Sequence, residues 1–188
     1  MLRILIVASL ITLQGCAAAL VAGGMGVASS VHDRRTMGTQ IDDKTLLARV
    51  NNLLAESPEI EEYAHINVNV YNGIVLLAGQ APNDDLRNKA EQAAKSVQHI
   101  RKLHNLIRIG TPTTAGTRTN DVWLASKVKA NLLADERVDG LHVDVMVEDS
   151  EVFLMGLVNA NEANVAVDIA RNISGVARVV KAFEYMQQ

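Results

Sequence analysis

Histidines and paired carboxylates are the side chains of this sequence that could support metal binding or acid–base catalysis. The chain has five histidines. His65 and His142 each stand at the head of an alternating apolar segment, so we expect both on an outward-facing surface. His99 and His104 lack cysteine or carboxylate partners at a spacing typical of metal sites. The sequence therefore predicts no metal site and no cofactor.

Two acidic pairs, Asp42-Asp43 and Asp84-Asp85, could act as a general acid and base. Each pair precedes a segment with helical apolar spacing, where helix capping explains it equally well. The sequence also contains no glycine-rich phosphate loop, no G-x-S-x-G nucleophile motif and no H-E-x-x-H zinc motif. We therefore predict no catalytic residue, no small-molecule substrate and a non-enzymatic function.

Cys16 is the one cysteine of the chain and ends an apolar segment. Met1-Leu2-Arg3 forms a short basic start, and Ile4–Leu13 is uniformly non-charged and mostly aliphatic. A helix needs about 20 apolar residues to span a bilayer, so this shorter run has the length of a signal-peptide core.

The residues Leu13-Gln14-Gly15-Cys16 resemble the lipobox of bacterial lipoproteins. The resemblance implies a signal peptide over residues 1–15 and acylation of Cys16, with palmitate among the acyl groups. Residues 16–42 are then a lipidated cysteine and a flexible tether, and Ala17, in place of an aspartate, implies the outer membrane. An uncleaved transmembrane helix over Ile4–Val31 is the alternative, although the alanine, glycine and serine of residues 17–30 argue against it.

The overall composition excludes several classes of protein. Apolar residues make up 48% of the chain, which is too many for a disordered protein. The net charge of −3 and the aromatic content of 3% argue against a nucleic-acid binder. A single cysteine excludes an internal disulfide framework.

The body of the chain repeats itself, which indicates a duplication. Asp43–Ile60 aligns with Asp121–Val138 at an offset of 78, and His65–Val70 aligns with His142–Val147 at an offset of 77. We call the copies module 1 (residues 43–109) and module 2 (residues 120–188), joined by a linker over residues 110–119. Modules of this size have marginal cores, so we expect them to pack on each other.

Each module is predicted to run helix, strand, strand, helix, strand. Apolar residues four apart, such as Leu46 and Val50, predict the first helix, with Asp42-Asp43 or Asn120-Asp121 as its N-cap. Asn72-Gly73 is a strong signal for a two-residue hairpin turn. The predicted fold class is α+β, in which two helices cover a three-stranded mixed sheet in each module.

The modules resemble the BON domain. The resemblance rests on a V-x-L-x-G-like strand (Val75–Gly79 and Val152–Gly156), an alanine-rich helix, and a closing segment that begins at Gly175-Val176 in module 2. Module 1 has His99 at the glycine position. This leaves the conformation of its closing turn undecided but does not change its predicted topology. With the lipobox and tether, the whole chain is similar to dual-BON outer-membrane lipoproteins of Gram-negative bacteria.

That resemblance implies a non-enzymatic lipoprotein that faces the periplasm. It further implies binding of an anionic phospholipid membrane through the first helix of module 2, support of outer-membrane integrity, and enrichment at the division site. The alternative is a protein-interaction adaptor for an envelope partner such as the outer-membrane protein assembly machinery.

The first helix of module 2 carries Trp123, the only tryptophan of the chain, whereas module 1 has Thr45 at that position. Trp123 lies on the flank of the core stripe, with Lys127 one turn further on. Trp123 is predicted either to anchor the helix at a membrane interface or to pack against the other module or the linker. The predicted lipid-binding residues are Trp123, Leu124, Lys127, Val128 and Lys129.

Overall fold

Module 1 folds around a central strand that pairs with one neighbour on each side. In the computed structural model, which describes residues 33–186, its elements are α1 (Met37–Ala55), α2 (Pro58–Tyr63), β1 (His65–Tyr71), β2 (Ile74–Ala81), α3 (Asp84–Lys95) and β3 (Lys102–Ile109). β2 is antiparallel to β1 and parallel to β3. The short α2, which begins at Pro58, was not predicted from the sequence; proline suits this first helical position.

Module 2 repeats this topology. Its elements are α4 (Ala115–Ala134), a 3₁₀ turn (Gly140–His142), β4 (Val143–Glu148), β5 (Glu151–Val158), α5 (Ala160–Arg171) and β6 (Arg178–Tyr185). β5 is antiparallel to β4 and parallel to β6. The predicted α+β fold, with a three-stranded mixed sheet and covering helices in each module, is therefore confirmed.

The apolar stripe of each first helix packs on one face of its own sheet. In module 1, Leu46, Val50 and Leu54 of α1 are buried against Val75 and Leu77 of β2. The second helix contributes small alanines to the same core, which lets it lie close to the sheet. Module 2 has an equivalent core under α4 and α5.

The first helices begin earlier than predicted. Thr36 and Thr114 are the N-caps, and each threonine hydroxyl accepts a hydrogen bond from the backbone N–H three residues on. α1 therefore includes the end of the segment predicted as a tether, and α4 includes the second half of the predicted linker. The prediction missed these turns because they carry no apolar periodicity.

Asp43 and Asp121, predicted as caps, instead lie inside their helices and join them to the hairpin turns. Both carboxylates are buried. Asp43 accepts hydrogen bonds from the N–H groups of Asn72 and Gly73, both at 2.7 Å. Asp121 accepts from the N–H groups of the matching turn of module 2 at 2.8 and 2.9 Å. Each carboxylate thus fixes the first helix to the hairpin of its own module.

The glycine that ends each V-x-L-x-G segment is required by close backbone packing. A Cβ atom on Gly79 would lie 2.0 Å from the carbonyl oxygen of His65, and one on Gly156 would lie 2.2 Å from that of His142. Both glycines also have positive φ angles, 133° and 157°. No larger residue fits at these positions without moving the paired strand.

The two sheets face each other, and the helices cover their outer faces. Polar bonds also cross the interface: Asn67 donates to Glu148 at 2.6 Å, and Asn69 donates to Asp144 at 2.8 Å. The expected packing of one module on the other is therefore observed. The buried apolar residues between the sheets are Tyr71, Ile74, Leu76, Ala78, Phe153, Met155 and Ala182.

The interface has an approximate two-fold symmetry. Asn72 in the hairpin turn of module 1 donates to Glu184 in β6 at 2.6 Å. Asp149 in the matching turn of module 2 pairs with Arg108 in β3, the equivalent of Glu184. Each hairpin turn therefore contacts the last strand of the other module, as in a symmetric dimer made from one chain.

The prediction that His65 and His142 lie on an outward-facing surface is wrong. His142 is buried in the 3₁₀ turn, and His65 is half-buried with its Nε2 atom 3.5 Å from a Glu148 carboxylate oxygen. Strand alternation separates the two faces of a sheet, but the face opposite the helices meets solvent only when nothing else covers it. Here Glu148 of module 2 contacts that face of module 1.

The segment before α1 binds both modules: Arg34 contacts module 2, and Arg35 donates to the Asp43 carboxylate of module 1 at 2.8 Å. The Arg34 guanidinium makes two hydrogen bonds with the Glu162 carboxylate, at 2.6 and 2.8 Å, and a third with the Leu157 carbonyl oxygen at 2.8 Å. These bonds hold the pKa of Glu162 below its ordinary value. Arg34 therefore joins the segment before α1 to the start of α5.

Candidate functional site

One face of α4 exposes large apolar side chains to solvent. Val122 is 69% exposed, Trp123 is 58% exposed and Leu133 is 52% exposed. The opposite face of the same helix is completely buried in the core of module 2. We call the exposed surface the α4 face; its residues are Val122, Trp123, Ser126, Lys127, Ala130 and Leu133.

Trp123 and Lys127 interact directly on the α4 face. The Lys127 Nζ atom lies 4.9 Å from the centroid of the indole ring, within the range of a cation–π contact. The alternative in which Trp123 packs against the other module or the linker is wrong, because most of its side chain is exposed. The pair presents an indole ring and a cation side by side at the surface.

Three of the five predicted lipid-binding residues are not on the α4 face. Leu124 and Val128 have no exposed surface, because they belong to the core stripe that holds α4 on its sheet. The Lys129 ammonium donates to the carbonyl oxygens of Gly140 and Val143, at 2.8 and 2.6 Å. Burial lowers the pKa of Lys129. These three residues hold the buried side of α4 against the rest of module 2.

Val122 and Leu133 belong to the α4 face but were not predicted. Their signal was present in the sequence, since both are large apolar residues outside the buried stripe of Leu124, Val128 and Leu132. Apolar residues off the core stripe of a helix mark a second, unpartnered apolar surface.

The charges nearest to the α4 face are mostly satisfied by other groups. The Arg118 guanidinium donates to the Thr113 carbonyl oxygen at 2.8 and 3.1 Å. Beyond the C-terminal end of α4, Arg137 lowers the pKa of Asp135 to about 2 by hydrogen bonding to its carboxylate. Lys127 is therefore the cation that the α4 face itself presents.

The equivalent surface of module 1 is different. Thr45 and Arg49 of α1 replace Trp123 and Lys127, and the Thr45 hydroxyl donates to the Ile41 carbonyl oxygen at 2.9 Å. Exposed apolar residues of α1 lie in its first two turns, at Met37 and Ile41. The combination of an exposed indole and a cation is specific to module 2.

Within residues 33–186, no helix is both long enough and apolar enough to cross a membrane. The same range holds no group of three or more histidine, cysteine or acidic residues that could bind a metal ion. Cys16, the predicted signal peptide and the tether up to residue 32 lie outside the described residues.

Both modules match one protein family. The model of the BON domain matches residues 42–111 and again residues 120–187. The chain belongs to the BON domain family. In these BON modules, the closing turn forms even where module 1 departs from the family pattern: His99 has φ 71°, and Gly175 at the equivalent position of module 2 has φ 102°.

Curated relatives align with most of this chain. Over 94% of this chain and 91% of the relative, it is 41% identical to the outer membrane lipoprotein DolP of Haemophilus influenzae. It is 38% identical to a 21 kDa hemolysin of Actinobacillus pleuropneumoniae, over 82% of this chain and 80% of the relative. Osmotically-inducible protein Y of Escherichia coli is 27% identical, over 76% of this chain and 72% of the relative.

These similarities identify a DolP-type dual-BON protein and support an outer-membrane lipoprotein. The family and the names of the relatives also point to a non-enzymatic protein. The α4 face is consequently a candidate for binding rather than for catalysis.

Proposed function

We propose that this protein is a non-enzymatic lipoprotein, anchored in the outer membrane through Cys16 and facing the periplasm, that binds anionic phospholipid through the α4 face. Its role is then to support outer-membrane integrity, with enrichment at the division site. The observation that carries the proposal is the exposed Trp123 ring beside the Lys127 ammonium. Indole rings favour the headgroup region of a bilayer, and a neighbouring lysine reaches lipid phosphates.

The expected binding free energy of the α4 face is modest. Burying the exposed part of Trp123 contributes about 3 kcal/mol before the cost of ordering, at roughly 25 cal/mol per Å². Lys127 adds about 1 kcal/mol near an anionic leaflet. Such a contact is weak for a free protein, but an acyl anchor makes it effectively intramolecular. The acyl chains then hold the protein at the membrane, and the α4 face responds to lipid charge.

The position of Arg34 supports a contact through module 2. Arg34 binds Glu162 and the Leu157 carbonyl oxygen, so the segment before α1 contacts module 2, which also carries Trp123.

The test uses the lipidated full-length chain reconstituted into vesicles. Trp123 is the only tryptophan, so its emission reports on the α4 face alone. We expect a blue shift in phosphatidylglycerol-containing vesicles, weakened by salt, and no shift in pure phosphatidylcholine vesicles that hold the same anchored protein. An emission spectrum that is the same in both vesicle types would refute lipid binding by this face.

A pair of matched variants separates the α4 face from the protein as a whole. Because Trp123→Glu removes the fluorophore, binding is measured by co-sedimentation of the unlipidated Cys16→Ser chain with anionic vesicles. We expect Trp123→Glu to abolish co-sedimentation and Thr45→Glu, the same charge at the equivalent site of module 1, to leave it intact. Equal losses in both variants would contradict the proposal, and crosslinking of Trp123 to a protein partner without lipid binding would favour an adaptor for the outer-membrane assembly machinery.

A further inference from the structure

β4 is an edge strand whose backbone is open on one side. It pairs only with β5, and the hairpin closes at the pair Glu148 and Glu151. In an antiparallel pair joined by a two-residue turn, hydrogen-bonded residues alternate with residues that face away. Val143, Val145 and Val147 therefore direct their N–H and C=O groups away from β5. The Lys129 ammonium confirms this direction, since it binds the outward Val143 carbonyl oxygen.

The equivalent edge of module 1 is capped at one position that is uncapped in module 2. In β1, the outward N–H of Val70 donates to the Asn69 side-chain oxygen at 2.8 Å. Module 2 has Met146 at the position of Asn69, so no amide side chain is available to cap the Val147 N–H. Side-chain capping of this kind protects an edge strand against pairing with another chain. Among residues 33–186, no side chain donates to or accepts from the outward groups of Val145 and Val147.

A groove of about 550 Å³ runs along this open edge. One wall is the side of α4 formed by Val122, Ala125 and Ser126, and the other wall is β1 of module 1 at Asn67 and Asn69. The floor is β4 from Asp144 to Glu148. The groove thus shares Val122 and Ser126 with the α4 face and is lined by both modules.

The side chains around the groove define what an added strand would carry. On the α4 side, a strand beside β4 would contact Val122 and Ala125, which are apolar. On the other side, it would contact Asp144 and Glu148, whose carboxylates face the gap between the two sheets. Side chains of a strand alternate between these two sides.

We propose that the β4 edge binds an extended segment of a partner protein, in which apolar residues alternate with lysine or arginine. The segment adds a strand to the sheet of module 2, pairing with Val145 and Val147. Its apolar residues pack on Val122, and a basic residue pairs with the half-buried Asp144 carboxylate on the other side of the groove. The acidic residues of the lining, Asp121, Asp144 and Glu148, outnumber its one arginine, Arg118. Asp121 and Glu148 are buried and already accept hydrogen bonds within the protein, so half-buried Asp144 is the carboxylate within reach of an added basic residue.

The direct test is binding of a fluorescein-labelled peptide of alternating valine and lysine to the full-length chain in phosphatidylcholine vesicles. We expect the fluorescence anisotropy of the valine–lysine peptide to rise to saturation as protein is added. Two control peptides should bind at least about tenfold more weakly. One control peptide alternates valine with glutamate. The other keeps the valine–lysine pattern but has a central proline, which has no backbone N–H to donate to β4. Equal binding of the proline peptide would overturn the proposal, because attraction by charge alone does not need a continuous backbone ladder.

The variant Met146→Asn transfers the cap of module 1 to module 2. We expect this variant to bind the valine–lysine peptide about tenfold more weakly, because the Val147 N–H is then occupied. Met146→Leu keeps the apolar packing without a cap and should bind normally. An equal loss in both variants would assign the effect to packing and overturn the proposal.

Hydrogen exchange gives a readout that does not depend on a variant. The amides of Val145 and Val147 should exchange more slowly when the peptide is bound, while that of Val70, already capped by Asn69, should not change. Unchanged exchange at Val145 and Val147 would contradict strand addition. Trp123→Glu should leave peptide binding intact, so failure of the lipid proposal and failure of this one are distinguishable.

Discussion

Module 1 and module 2 share their cores residue by residue, but their solvent-exposed positions have diverged. Val50 and Val128 are both completely buried at equivalent places in the two first helices. Outside these cores, the exposed Thr45 corresponds to Trp123, and Asn69, which lies between the sheets, corresponds to Met146. The comparison indicates that the two modules differ in what they present: module 1 has an edge strand capped at Val70, whereas module 2 has an exposed indole and, within residues 33–186, no cap at Val147.

The largest expected effects concern the glycines that both modules share. Gly79→Ala and Gly156→Ala should each destabilise the protein by at least about 3 kcal/mol, because the new Cβ atom would overlap a backbone carbonyl oxygen of the paired strand. Urea unfolding followed by circular dichroism measures this loss. Gly110→Ala is the matched control, since no atom lies within 4 Å of its added Cβ. A loss in one module only would contradict their equivalence.

The buried aspartates should show the next largest effect and a difference between modules. Asp121→Ala removes two hydrogen bonds from a hairpin turn and should cost about 2 kcal/mol. Asp43→Ala should cost about 3 kcal/mol, because Asp43 also accepts from Arg35 at 2.8 Å. The shift of the thermal midpoint compares the two, with Asp42→Ala at an exposed neighbour as the control. Equal shifts would show that Arg35 adds nothing.

The buried stripes and the asparagine–glycine turn were predictable because each depends on residues close in sequence. The threonine caps were missed, since a cap depends on local hydrogen bonds and has no apolar period. The partial burial of His65 was missed for a different reason: strand alternation predicts which residues face away from the helices, but not whether another module covers that face. Comparison of the repeats singled out Trp123. Its exposure could not be predicted, because it depends on where the linker and module 1 lie in the folded protein.

The closing turns should respond to substitution in opposite directions. His99 and Gly175 both have positive φ angles, which cost free energy in a residue with a side chain. Gly175→Ala should destabilise module 2 by about 1 kcal/mol through its backbone alone, since the added Cβ makes only an ordinary contact with Leu124 at 3.6 Å. His99→Gly should be neutral or stabilise module 1 by up to about 1 kcal/mol. Urea midpoints measure both, and destabilisation by His99→Gly would reveal a contact of the imidazole that outweighs the strain.

The smallest expected effect on stability, and the sharpest functional contrast, comes from Lys127. Lys127→Gln should change the free energy of unfolding by less than about 0.5 kcal/mol, because the ammonium is bound only to an exposed ring. It should nevertheless weaken binding to anionic vesicles about fivefold, the equivalent of roughly 1 kcal/mol near a charged leaflet. Arg49→Gln removes the equivalent cation from module 1, where no exposed indole accompanies it, and should leave co-sedimentation unchanged. If both variants weaken binding equally, vesicle binding depends on the total charge of the protein. If only Lys127→Gln weakens it, the membrane contact belongs to module 2.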